Sequence, residues 1–192
     1  MTILTALALA AGQAQAPVHV PEAEAVRTLH EFAACVARER TGEARTVLAM
    51  DYRTDARQRR LRELARSNNR CLDRNVMSMS ELLFAGALAE QLYLTDNRGA
   101  DAAALVSAAR LEARSRSEAL GNCVIRQAPA EARAVLDTPV TSESEGTALE
   151  ALRPAIQACL QGADEARMNR PGLRSLIALS LYHAARVTTA AR

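Results

Sequence analysis

Four cysteines at positions 35, 71, 123 and 159 fall into two pairs with the same internal separation of 36 residues, and the second pair stands 88 residues after the first. Laid on itself at that offset, the chain aligns without a gap over a long stretch. Cys35-Val36-x-Arg38 meets Cys123-Val124-x-Arg126, and Glu43-Ala44-Arg45-x-Val47-Leu48 meets Glu131-Ala132-Arg133-x-Val135-Leu136. Leu61 and Leu64 meet Leu149 and Leu152, and Cys71-Leu72 meets Cys159-Leu160. After one inserted residue, Phe84, Ala89, Leu92 and Tyr93 meet Leu173, Ala178, Leu181 and Tyr182. Helical periodicity alone can align two apolar stripes, but it does not place four cysteines in register. The chain therefore reads as a tandem duplication, with one helical repeat over 21–97 and a second over 101–187.

Each repeat reads as four helices. Alanine, leucine and arginine, all strong helix formers, fill long stretches, whereas aromatics reach only 3% and tryptophan is absent. Entry to the first helix falls near Pro21, with Glu22 and Glu24 placed to complement the helix dipole. Val26, Leu29, Ala33 and Val36 form its apolar stripe, and Thr41-Gly42 ends it. A short helix carrying Val47 and Leu48 follows, matched after Pro129-Ala130 in the second repeat. Thr54 and Ser142, at aligned positions, are the expected N-caps of the third helices. Pro154 is expected to kink the second of these, and Ser67-Asn68-Asn69 weakens the same place in the first. A fourth helix is expected from the capping-box pattern Ser78-x-x-Glu81, burying Phe84, Leu88 and Leu92, with Leu173, Ile177 and Leu181 as its counterpart. Thr95 to Gly99 reads as the joint, and Asp101 to Ser115 as a backward extension of the next helix. The expected fold is all-α, about eight helices in two pseudo-symmetric four-helix repeats. Units of this size are marginal alone, so the two are expected to share one core.

Residues 1–16 read as a signal peptide: an apolar run from Ile3 to Ala11 precedes Ala14-Gln15-Ala16, a small-x-small cleavage pattern. After its removal no segment is apolar and long enough to span a bilayer. Export places the cysteines in an oxidising compartment, where two disulfides with three connectivities are open. Duplication preserves bonds made within a unit, which favours Cys35–Cys71 and Cys123–Cys159. Closing each loop is worth about 4 kcal/mol on the chain-entropy estimate. Zinc binding is disfavoured because no C-x-x-C occurs and His19, His30 and His183 form no ligand pattern.

Arg57, Arg59, Arg60, Arg62, Arg66, Arg70 and Arg74 crowd one helix and its exit. This run reads as a solvated face, partly neutralised by Asp55, Glu63 and Asp73, in preference to an anion-binding patch. Glu43-Ala-Arg45 and Glu131-Ala-Arg133, retained in both repeats, read as structural salt-bridge or helix-start elements. Tyr93 and Tyr182 read either as seam hydroxyls or as core packing, and His30 as a surface residue. A net charge of +2 does not imply nucleic acid or an acidic membrane as partner. There is no Gly-rich phosphate loop, nucleophile elbow or H-E-x-x-H, so no catalytic, cofactor-binding or metal residue is assigned.

The duplicated order of Cys-Val-x-Arg, Glu-Ala-Arg-x-Val-Leu, Cys-Leu and a final Ala-x-x-Leu-Tyr resembles a group of small exported two-repeat helical proteins of alphaproteobacteria with no assigned activity. The likeness runs from about Ala33 to Tyr182. It departs at Ala178-Leu179, where an acid corresponding to Glu90 is expected. The resemblance implies location and fold and lends no catalytic residues. The expected function is a periplasmic or secreted binding module without catalytic activity, taking a protein or small-molecule partner of the cell envelope at the groove between repeats. The alternatives are an enzyme whose site is assembled from distant residues, and a thiol-redox protein.

Overall fold

The computed structural model describes residues 22–72, 80–160 and 168–190. The expected signal peptide and Ser78 lie outside these residues. Ten α-helices and one 3₁₀ turn, with no strand, make up the described residues. Helix α1 (Glu22–Glu39) runs into α2 (Thr41–Ala49) at Arg40, so Thr41-Gly42 opens the second helix rather than ending the first. Helix α3 (Asp55–Arg66) ends where Ser67-Asn68-Asn69 was expected to weaken it, and a 3₁₀ turn (Asn69–Cys71) completes the segment. Then come α4 (Glu81–Asp96), α5 (Ala102–Ala108), α6 (Arg116–Gln127), α7 (Pro129–Leu136), α8 (Glu143–Ala151), α9 (Arg153–Cys159) and α10 (Arg170–Ala190).

The number exceeds the eight expected for two reasons. Pro154 sits in the first turn of α9 and splits the third helix of the second half rather than kinking it. Residues 102–108 form a helix of their own, so the backward extension of α6 does not occur; Ser115 caps α6 by accepting from the Glu118 amide. The caps at Thr54 and Ser142 form as expected, accepting from the amides of Arg57 and Glu145. Helix α4 is capped by Ser80, which accepts from Leu83.

Helices α4 and α10 form the centre and pack most extensively on one another, with α1 laid against α4 and α6 against α10. Their contact is close because the residues there are small. A Cβ at Gly86 of α4 would overlap Ser175 of α10, and one at Gly121 of α6 would overlap the Ser180 hydroxyl of α10. One contiguous apolar core runs from Leu29 and Phe32 through Leu88 and Tyr93 to Ile125, Ile177 and Leu181, and so includes both halves. Tyr93 and Tyr182 belong to it, and their hydroxyls find no hydrogen-bond partner among the described residues. Disulfides Cys35–Cys71 and Cys123–Cys159 each tie the helix entering a half to the end of its third segment, with Cα separations of 5.7 and 5.8 Å. No described helix is long and apolar enough to cross a membrane.

Candidate functional site

Charged side chains enter the interior at two places. At the first, the Arg174 guanidinium, 1% exposed, is enclosed. Its Nε and Nη2 donate to the two Glu90 carboxylate oxygens at 2.8 and 2.7 Å, and Nη1 donates to Glu145 at 2.9 Å. Further donations reach the carbonyls of Val135 at 3.0 Å, Leu136 at 3.3 Å and Thr138 at 3.0 Å. Glu145 also accepts from the Thr141 amide at 2.9 Å and meets Arg170 at the rim. This cluster joins α4, α8, α10 and the α7–α8 connection. Its charges are paired and its donors used, which makes it a tie between helices rather than a place for a ligand.

His30 stands against this cluster, with Nδ1 3.7 Å from Glu90 Oε1. It is 9% exposed, so it is not the surface histidine expected from sequence: the α1 face carrying Val26, Leu29 and Ala33 packs inward and takes His30 with it. Burial pushes its pKa below the ordinary value, and the attraction of Glu90 offsets this only in part.

The second place is a cleft of about 600 Å³ bounded by the end of α2, the starts of α3 and α4, the 110–115 segment, the start of α6 and one face of α10. Leu48, Ala85, Leu176 and Leu179 supply apolar wall; Tyr52, Gln58, Ser115, Asn122, Ser180 and His183 supply polar groups. First-turn residues of three helices line it: Arg57 of α3, Glu81 and Leu82 of α4, and Ser117 and Glu118 of α6. The positive ends of three helix dipoles therefore border one hollow.

Its cations differ in how they are satisfied. Arg114 is engaged by Glu118 at 2.8 Å, lies 3.9 Å from Asp51 and covers the Tyr52 ring at 5.4 Å. The Asp51 carboxyl is held down to about 2 by hydrogen bonds from the Arg53 side chain and amide. Arg57 is different. It is 7% exposed, its Nε has no hydrogen-bond partner, and no carboxylate of the described residues is in ion-pair contact with it. Burial is the foremost cause pushing its pKa down. It also sits in the first turn of α3, where the dipole disfavours a cation.

Arg57 thus leaves the solvated arginine face expected from sequence. Arg59, Arg60, Arg62, Arg66 and Arg70 are exposed, and three of them pair with Glu63, Glu81 and Glu39. Arg74 and Asp73 lie outside the described residues. Arg57 was separable from its neighbours in principle, because it falls four residues before Leu61 and seven before Leu64, on the apolar side of α3. The retained Glu-Ala-Arg triplets do act structurally: Glu43 and Glu131 lie in first turns, Arg45 bonds Asp96 at 2.7 Å, and Arg133 bonds Asp137 at 3.0 Å.

His183 lines the cleft, and burial, then the nearby Arg114 charge, push its pKa down, leaving it neutral near pH 7. Glu118 also lines the cleft, but its two oxygens are taken by Arg114, at 2.8 Å from Nη2 and 3.2 Å from Nε. No described carboxylate hydrogen-bonds the imidazole. Among the described residues no group of three or more His, Cys, Asp or Glu is placed to hold a metal ion. No protein family, curated protein or solved structure matches the chain.

Proposed function

We propose that the chain is an exported binding module made of two repeats related by an approximate two-fold, and that it takes a small molecule, without catalysis, in the cleft between them. The observation that carries the reading is the cleft itself, lined by both halves and holding a buried cation with no carboxylate partner among the described residues. The two-fold is supported by the packing: α1 on α4 is answered by α6 on α10, each half carries one disulfide of sequence separation 36, and Gly86 of α4 packs tightly against Ser175 of α10, which stands 89 positions on as the sequence alignment pairs them. Export is supported by the two disulfides, which persist in oxidising compartments.

The test is titration with N-phenyl-1-naphthylamine, an uncharged dye that fluoresces in apolar sites. The expected result is saturable one-to-one binding that Leu179→Trp, which places bulk in the cleft, weakens about tenfold, with the variant's helical circular dichroism unchanged. Equal binding by the two proteins would place the dye elsewhere and remove the reading. An enzyme is the second reading, favoured by His183 in the same cleft. It requires the imidazole to gain an orienting partner when a substrate enters, because Glu118 is committed to Arg114.

A further inference from the structure

The two interior charge sites draw on positions that correspond in the alignment of the two halves. On the sequence alignment Glu145 corresponds to Arg57 at an offset of 88, while Arg174 corresponds to Ala85 and Glu90 to Leu179 at an offset of 89. The first member of each pair belongs to the closed ionic cluster, and the second lines the cleft. His30, beside the cluster, corresponds in the same way to Glu118 on the cleft wall. The cleft is therefore the site that Arg174 fills in the other half, left open by Ala85. Where the filled site presents the carboxylate of Glu145 to an incoming guanidinium, the open one presents the guanidinium of Arg57.

Resting on the cleft as a binding site, we infer that its ligand is an aliphatic carboxylate, a charge-reversed counterpart of the Arg174 side chain, with its carboxylate on Arg57 and its chain along Ala85, Leu176 and Leu179. Each part of that ligand answers a feature of the site. An anion would pair the guanidinium and lie at the positive ends of α3, α4 and α6. The neighbouring arginine does not compete, since Arg114 already holds Glu118. An aliphatic body fits because the positions equivalent to Arg174 and Glu90 are here Ala85 and Leu179, which add apolar surface to that of Leu48 and Leu176.

The experiment compares octanoate with 1-octanol on the oxidised full chain by isothermal titration calorimetry, together with Arg57→Gln and Leu179→Trp. Octanoate is expected to bind about tenfold or more tightly than octanol, the range of a charge-assisted bidentate contact. Arg57→Gln should bring octanoate to the level of octanol. Leu179→Trp should weaken both. Equal affinity of the two compounds for the unaltered protein, or a preference for octanoate that survives Arg57→Gln, would overturn the carboxylate anchor while leaving the cleft as a binding site. Binding of neither compound, with no dye binding either, would overturn both.

Discussion

Arg174→Met tests the energetic account most directly. The substitution keeps an unbranched stem of similar length and removes only the guanidinium, whose donors are distributed over Glu90, Glu145 and the carbonyls of Val135, Leu136 and Thr138. What remains is two nearly unexposed carboxylates facing a thioether, with Arg170 reaching only one of them from the rim. Breaking a buried ion pair by removing one partner costs about 3–5 kcal/mol, mostly because the surviving charge is left desolvated. Against a typical folding free energy of about 5–15 kcal/mol this is a large fraction. Urea unfolding followed by circular dichroism should show the midpoint falling by about 2 M, taking a slope of about 2 kcal/mol per M. The loss should change little between low and high salt, since the cluster lies out of reach of counter-ions. Adding Glu90→Gln and Glu145→Gln to the variant removes both orphaned charges and should restore most of the loss. A deficit under about 1 kcal/mol for Arg174→Met, or a triple variant less stable than the single one, would refute the argument that charge pairing governs this site.

Removing Cys35–Cys71 or Cys123–Cys159 by paired Cys→Ala substitution should lower stability by about 4 kcal/mol each on the chain-entropy estimate, measured by the same unfolding curves. Gly86→Ala should cost about 1–3 kcal/mol, because its methyl would overlap Ser175 where α4 and α10 cross; Gly42→Ala, with open space around it, serves as the control and should not destabilise. His30 and His183 both have pKa values below the ordinary 6.5, so protonation favours the unfolded chain. Their contribution to stability is complete above pH 6.5 and is lost as the pH falls from there toward their folded values; unfolding midpoints measured from pH 7 to pH 5 should drop, and His30→Gln with His183→Gln should flatten that slope.

The parts of the fold that sequence makes legible are those specified locally. Thr54 and Ser142 cap helices because a hydroxyl ahead of a helical run accepts from a free amide wherever it occurs. Leu88 and Leu92 with Ile177 and Leu181 are buried because four-residue spacing defines one helix face. The cysteine pairing follows from register. The interior charges are harder, because an arginine is written the same way whether solvated or enclosed. Even so, Glu90 interrupts the apolar run from Leu82 to Leu94, Arg174 stands between Leu173 and Leu176, and Arg57 shares a face with Leu61 and Leu64. Placement on an apolar face is the available signal, and it marks all three. What remained out of reach was which of them would meet, since Arg174 and Glu90 lie 84 residues apart and only tertiary packing joins them.

The proposed duplication gives a physical reason for one site to be closed and its counterpart open. A single unit cannot both fill its hollow with a charged side chain and keep it free for a ligand. Two copies can divide these roles. On the proposed correspondence of the halves, Arg174 welds α4, α8 and α10 in one place, and both disulfides limit the unfolded chain. The molecule can then tolerate at Arg57 a buried cation, at the wrong end of a helix dipole, that receives no carboxylate from the described residues. A destabilised group of this kind contributes to binding as well as opposing folding, because the anion that pairs it recovers desolvation already incurred. Ligand occupancy should therefore raise the unfolding midpoint by the mass-action term that grows as the logarithm of ligand concentration over Kd. The same ligand should stabilise Arg57→Gln much less, even though that variant, relieved of its unpaired charge, starts out as the more stable protein.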